Sequence, residues 1–310
     1  MLGVRASWGR ALARRCWLSP MPPRRCFCNN TGTPGDDCDF AFSQLATEYG
    51  PTSGEPLPLW QCAKPDNIPS LLAEGEVRTG VGSGAAVELV DLSDRVPGAF
   101  QLLNVLTLDE CRRMIEATER MGYHTDAPVS LPHSFRHMEN VNWIPHPNIE
   151  EGIFNRVRAH LPEYAAHVAG APALGINARF RCYRYAAGDY FRPHTDGSWP
   201  GSRAIDGELR VDAFGDRWSQ FTFLILLSDE YEGGSTVFHG CSAPPSDGGE
   251  AEVVRVRTPV GAALCFPHGG HPLHCLHAGE EVTAGLKYMV RTEILYERTP
   301  EAEALQAGCM

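Results

Sequence analysis

The chain has 310 residues, enough for one large domain or two, and its 43% apolar and 21% charged content is ordinary for a globular protein. Its formal charge of −11 is unevenly placed: residues 1–35 carry six arginines and no acid, leaving 21 basic against 38 acidic side chains elsewhere, a poor match for nucleic acid. No apolar run approaches the length of a membrane span, and eleven scattered cysteines without a C-x-x-C pair read as reduced thiols rather than a disulfide framework.

Residues 1–30 read as an address tag: Arg-rich, acid-free and broken by short apolar patches, as in a mitochondrial presequence, with Arg25-Cys26-Phe27 resembling a cleavage site. The alternative is a basic N-terminus without a targeting role on a cytoplasmic protein. Residues 31–83, rich in Gly, Pro, Ser and acids, show no sustained period and predict a low-complexity linker or loosely packed extension. One domain is expected over 84–298, with its core at about 175–298, and a short tail over 299–310.

Within that domain AFQLLNVL at 99–106 predicts a short strand. A helix should follow, because Thr107 and Glu110 form a capping box, apolar residues recur at helical spacing, and Gly122 ends the run. A second helical stretch covers 148–169, with Ile149, Ile153, Val157 and Leu161 on one face and a break at Pro162. After Ala171 the pattern turns to strands: alternation through Ala178, Phe180 and Cys182, then QFTFLILLS at 220–228, apolar on both faces as a buried strand would be. Glu232-Gly233-Gly234 predicts a turn, residues 241–251 a loop, and VVRVR, GAALCF and LKYMVRTEILY further strands. Helices first and many short strands after give an α+β class, with a jelly-roll double sheet carrying any site.

The chemistry concentrates in two segments. FRCYRYAAGDYFRPHTD closes on His194-Thr195-Asp196, and an imidazole and a carboxylate two apart on a strand can reach one metal ion. Alone this is weak, since twelve histidines generate H-x-D readily and a surface His–Asp hydrogen bond explains it as well. His268, His271, His274 and His277 recur every third residue 72 or more positions beyond Asp196, and read either as a polar or zinc-binding loop or as the source of one further ligand. His277 is the preferred member. It stands before a Gly-bounded turn and a strand ending in Lys287, whereas the other three lie in a Gly/Pro-rich stretch. Two histidines and a carboxylate with open positions are the donor set of non-haem Fe(II) oxygenases. Lys287, Met289 and Arg291 share one strand face, where a buried lysine needs a partner, unless it is a solvated edge-strand lysine. His133, Arg136, Asn140, Asn142, Trp143 and Trp199 are candidates for the entrance, with an ordinary surface loop as the plain alternative.

Taken together, FQLLNVLTLDECRRMIEATERMGY, RYAAGDYFRPHTD, LLSDEYEGGSTVF and LHAGEEVTAGLKYMVRTEILY resemble the Fe(II)/2-oxoglutarate-dependent dioxygenases, in their prolyl 4-hydroxylase-like (alpha-subunit type) branch, over residues 99–296. The resemblance implies a double-stranded β-helix, Fe(2+) on His194, Asp196 and His277, and 2-oxoglutarate bound by Lys287 with help from Tyr185 and Arg291. It also implies O2 as second cosubstrate, succinate and CO2 as products, L-ascorbate as an accessory, and hydroxylation of a prolyl or other C–H bond in a protein or small molecule. Leu226 stands where many prolyl hydroxylases carry a tyrosine, which leaves more of the cosubstrate to Tyr185 and Lys287. The rivals are a catalytically silent double-sheet binding module and a zinc hydrolase built on the four-histidine run.

Overall fold

The computed structural model describes residues 42–51, 53–62, 72, 86–128, 131–161, 172–240 and 253–298. The expected targeting segment, the 241–251 loop except its neighbours, and the C-terminal tail lie outside the described residues.

Two helices form where local signals are strongest. Helix α1 (Leu108–Met121) starts at Thr107, whose Oγ1 accepts from Glu110 N (3.2 Å) while Glu110 Oε2 accepts from Thr107 N (2.8 Å). It stops at Gly122, φ 88°. Glu110 also takes both terminal nitrogens of Arg156 (2.8 and 2.7 Å), so the capping residue ties α1 to helix α2 (Pro147–Val157). Proline at the first turn and the His146 cap start α2; Ile149, Ile153 and Val157 are its buried face, and a single 3-10 turn continues it to His160.

The rest is mostly strand. The large sheet runs β1 (Phe42–Tyr49), β2 (Pro56–Cys62), β6 (Glu139–Ile144), β8 (Phe180–Tyr185), β19 (Lys287–Glu297), β12 (Arg217–Leu226), β16 (Ala263–Pro267), β4 (Phe100–Leu103) and β3 (Glu88–Asp91), with β7 (Ala173–Ile176) on the far end of β19. The smaller sheet runs β15 (Val254–Val256), β14 (Thr236–His239), β17 (Leu276–Gly279), β9 (Tyr190–His194) and β5 (Arg136–His137). Two two-stranded pairs stand apart: the hairpin of β10 (Arg203–Ile205) with β11 (Glu208–Arg210), and β13 (Tyr231–Gly233) with β18 (Val282–Gly285), which lie far apart in the chain.

Alternation along the central strands assigns the layers. Phe221, Phe223 and Ile225 of β12 and Tyr288, Val290 and Tyr296 of β19 pack in one cluster with Cys111, Met114, Ile149 and Ile153 of the helices. Leu224 and Leu226 of β12 and Met289 of β19 pack instead with Phe238, Val254 and Val256 of the smaller sheet. The helices therefore cover one face of the large sheet, and the smaller sheet covers the other. The reading of 220–228 as a strand buried on both faces matches this arrangement.

The segment read as a linker departs from expectation. Residues 42–49 and 56–62 are strands β1 and β2, paired with each other, and β2 joins β6 in a parallel register (Leu59↔Asn142). Leu57 and Leu59 are buried. Pro56 and Pro58 made the stretch look like loop; they lie in the half of β2 that pairs with β1 alone, where a missing donor is tolerated. The 133–143 stretch, for which an ordinary surface loop is the plain alternative, holds strand β5 and most of β6.

Candidate metal centre

The centre is built between the sheets. His277 on β17 and His194 at the end of β9 are direct cross-strand neighbours, and Asp196 follows two residues on. One donor atom from each of the three lies within 4.8 Å of the others, the one such group of His, Cys, Asp or Glu among the described residues. Asp196 Oδ1 is 3.7 Å from His194 Nε2, and its Oδ2 is 3.6 Å from His277 Nε2. The distances are too long for hydrogen bonds and suit donors arrayed around an ion.

The tautomers are fixed by the strands themselves. His194 Nδ1 lies 2.8 Å from Arg192 O, and His277 Nδ1 lies 3.1 Å from Cys275 O. A carbonyl only accepts, so each Nδ1 carries the proton and each Nε2 presents a lone pair to the centre. Phe191 stacks on the His194 ring (centroids 3.6 Å apart), and Phe266 packs against His277 (4.5 Å). Burial, and then the neighbouring His277, push His194 down to about 4; burial lowers His277 as well. Both imidazoles are thus neutral and ready to ligate near neutral pH. Burial would raise the Asp196 carboxyl, but Arg291 and then the two histidines outweigh it and hold it far below the usual carboxylate range. This donor set, two neutral imidazoles and one ionised carboxylate, fits a divalent first-row metal.

Arg291 holds that carboxylate: NH2 is 3.2 Å from Asp196 Oδ1, Nε is 3.3 Å from Oδ2, and NH1 reaches Glu293 at 3.1 Å. Its guanidinium is engaged by Asp196 and Glu293, so it holds the carboxylate, and it also lines the cleft that leads to Lys287. Lys287 differs. It is buried on the interior face of a central strand, not solvated at an edge, and its Nζ donates to Gly234 O (2.7 Å) with no carboxylate partner among the described residues. Gly233 and Gly234 both have positive φ, and a side chain on Gly233 would meet Glu281 O at 2.4 Å. Those glycines let the turn bring its carbonyl down to the ammonium. Burial, with Arg257 adding to it, lowers Lys287 to about 8. Tyr185 is its cross-strand neighbour, and the ammonium lies 5.2 Å from the Tyr185 ring centroid. A narrow cleft lined by Tyr185, Leu224, Thr236, Met289 and Lys287 leads from this corner to His277 and Asp196.

Of the other three histidines, His268 departs from expectation. It follows directly on β16, is 1% exposed, and is held by His268 N to Gln220 O (3.0 Å) and by Gly269 N to Asp196 O (2.9 Å). A strand end gives it the fixed geometry that a Gly/Pro-rich stretch would not. Thr222 Oγ1 donates to Asp196 Oδ2 (2.6 Å), so its oxygen must accept from His268 Nδ1 (2.8 Å). His268 Nε2 then accepts from Ser219 Oγ (2.9 Å), which accepts from Trp199 N (2.8 Å). Every proton in the chain points toward the carboxylate. Burial pushes His268 down to about 4, so the ring stays neutral and the polarity holds. Replacing His268 with alanine should therefore weaken metal affinity by roughly 10–100-fold without abolishing it, the usual effect of losing an outer partner of a ligand. Thr222→Val should match it and Thr222→Ser should not. Unchanged affinity of His268→Ala in a chelator competition would show that the relay leaves Asp196 unsupported.

A cavity of about 360 Å³ opens beside His194 and Asp196. Arg136, Asn140, Asn142 and Trp199 line it as expected. His133 is exposed and away from it, and Trp143 lies in the core on the helix side of the large sheet. Glu48 of β1 also lines the cavity, ion-paired to Arg179 and accepting from Asn142 Nδ2 (3.2 Å). The strand missed as linker thus supplies part of the wall.

No protein-family model and no curated protein sequence matches the chain. Similar solved structures include a viral collagen prolyl hydroxylase from Paramecium Bursaria Chlorella virus-1 in a 2OG complex, 19% identical, with 66% of this chain and 99% of that one covered at a TM-score of 0.42. A Pseudomonas putida prolyl-4-hydroxylase is 13% identical over 65% of this chain and 93% of that one, TM-score 0.41. A Trichoplax adhaerens prolyl hydroxylase, in complex with a hypoxia inducible factor oxygen degradation domain peptide fragment, is 14% identical over 69% and 87%, TM-score 0.42.

Proposed function

We propose that the protein is an Fe(II)- and 2-oxoglutarate-dependent oxygenase that hydroxylates a C–H bond of a substrate seated in the 360 Å³ cavity, on a double-stranded β-helix formed by the two facing sheets. The observation that carries this reading is the convergence of His194 Nε2, Asp196 and His277 Nε2 within 4.8 Å, one cleft away from a buried lysine without a carboxylate partner among the described residues.

His194, Asp196 and His277 would hold the metal from one side, leaving its other positions to ligands from the cleft and the cavity. When bound, Fe(II) with 2-oxoglutarate and O2 supplies the oxidation of an unactivated C–H bond, 2-oxoglutarate leaving as succinate and CO2. Lys287 takes the far carboxylate of 2-oxoglutarate in a charge-assisted hydrogen bond. Tyr185, whose phenol burial pushes well above its ordinary value, stays protonated and serves as a neutral wall or donor beside it. Arg291 and the Thr222–His268 relay hold Asp196 ionised and oriented. Leu224, Leu226, Met289 and Phe238 exclude water from the inner end of the cleft.

The test is succinate release. Protein loaded with Fe(II), given 2-oxoglutarate, ascorbate and air but no further substrate, should form succinate slowly, and removal of oxygen or iron should stop it. A protein that binds Fe(II) yet releases no succinate over the uncatalysed background would be a silent double-sheet binding module. One that purifies with zinc and hydrolyses without consuming oxygen would return the zinc reading.

A further inference from the structure

Four arginines line the cavity beside the metal centre: Arg136, Arg179, Arg181 and Arg291. Three are neutralised. Arg179 pairs with Glu48, Arg181 with Glu293 at 2.6 Å, and Arg291 with both Asp196 and Glu293. Arg136 forms no ion pair with a carboxylate among the described residues. It is 6% exposed, yet its Nε and NH2 have no hydrogen-bond partner among the described residues; the Asp126 carboxylate acts on it only electrostatically, and the Tyr183 ring lies 5.8 Å away.

A buried, unpaired guanidinium is among the most costly groups a fold can keep, because its charge leaves water and gains nothing specific in return. Arginine is moreover the side chain whose planar fork matches a carboxylate or similar oxyanion in two parallel hydrogen bonds. Position completes the case. Arg136 sits on β5, cross-strand from Phe191, whose ring stacks on His194. Whatever Arg136 anchors therefore lies beside the metal ligands, against an apolar wall of Phe191, Leu131 and Val211 with Trp199 at the exposed rim.

We propose that Arg136 is the anchor for the substrate, which is an organic carboxylate: a charged end on the guanidinium and a hydrocarbon body along Phe191 and Trp199, where the C–H bond to be oxidised lies. The inference rests on the oxygenase reading for the reaction, but the anion site itself does not depend on turnover. The carboxylate belongs either to a free acid or to an acidic side chain in a peptide, and both present the same group to Arg136.

The experiment uses the full chain with Fe(II) and 2-oxoglutarate. The probes are hexanoate and benzoate, their matched amides, and a short peptide carrying glutamate or glutamine at one position. Binding is read by calorimetry or by the fluorescence of Trp199 against a Trp199→Phe control. The carboxylate forms should bind at least tenfold more tightly than their neutral partners, and Arg136→Gln and Arg136→Met should remove that preference. Arg136→Lys should restore part of it. The free acids or the glutamate peptide, whichever set shows the preference, identifies the source. Substrate-free succinate release and the 2-oxoglutarate KM should be the same in every variant, since Lys287 serves the cosubstrate. Absence of succinate release in the parent would end the oxygenase reading while leaving the carboxylate preference to report on Arg136. The proposal is overturned if neutral and charged probes bind alike or not at all, if the neutral variants keep the preference, or if they raise the 2-oxoglutarate KM. A large fall in the melting temperature of both neutral variants would make Arg136 a structural residue and overturn it too.

Discussion

Asp196→Ala is expected to abolish Fe(II) binding and, with it, succinate release. Asp196 is the one carboxylate in the donor set, it sits at 3.6 and 3.7 Å from the two imidazole Nε2 atoms, and it carries the charge that favours a dication over water. Losing a partner that merely orients a ligand costs about 10–100-fold in affinity, so losing the ligand itself should exceed that range. His277→Ala should behave the same way, because β17 supplies no second donor to the centre. His274→Ala should bind iron like the parent: its Nδ1 faces His271 O, and it belongs to no group of converging donors among the described residues. Alanine at 196 also strips Arg291 of one of its two acids, so Asp196→Asn is the cleaner variant, keeping the volume and an acceptor for Thr222. Metal content by mass spectrometry, measured beside a thermal melt, separates lost binding from lost fold. Iron retained in His277→Ala but lost in His274→Ala would move the third ligand and sink the assignment.

The parts of this centre that the sequence made legible are those set by local spacing. His194 and Asp196 are two apart where a strand ends, Lys287 and Arg291 share the interior face of another strand four apart, and Thr107 and Glu110 write their capping box in four residues. His277 could be preferred over its three neighbours because a strand follows it, and the register His277↔His194 then brings the two rings together. What stayed hidden needed a partner from far along the chain. β2 is a strand because β6 lies beside it, and nothing in a Pro-rich heptapeptide announces that neighbour. Arg291 looked like a second anchor for the cosubstrate, and only the fold reveals that Asp196 and Glu293 already hold it. His268 looked like loop polarity, though one signal was present: Thr222 is the lone hydroxyl in the apolar run FTFLILL, and a polar side chain there needs a buried partner.

The second large effect concerns Lys287. Three metal ligands hold an ion but select no cosubstrate; in the proposed reading, the cation at the inner end of the cleft makes that selection. Lys287→Ala should leave iron binding near normal and raise the 2-oxoglutarate KM by roughly a hundredfold or more, since removing one partner of a buried charge pair costs about 3–5 kcal/mol. Lys287→Arg should recover only part of this, because the planar fork is bulkier and meets Leu224, Tyr185 and Met289 in the cleft. The pH dependence gives an independent signature. Burial lowers Lys287 to about 8 in the ligand-free protein, and the ammonium, not the amine, is the form that pairs with a carboxylate. Affinity for 2-oxoglutarate should therefore be full below pH 8 and fall as pH rises through it, by up to tenfold per unit. The carboxylate favours the charged lysine, so the bound form should titrate higher than the free one, and the decline should level off above that second value. Lys287→Ala should lack this alkaline limb, while Arg291→Lys should keep it and weaken metal binding instead. Normal cosubstrate affinity in Lys287→Ala, or an unchanged alkaline limb, would place the anchor elsewhere in the cleft and leave the buried ammonium without a function.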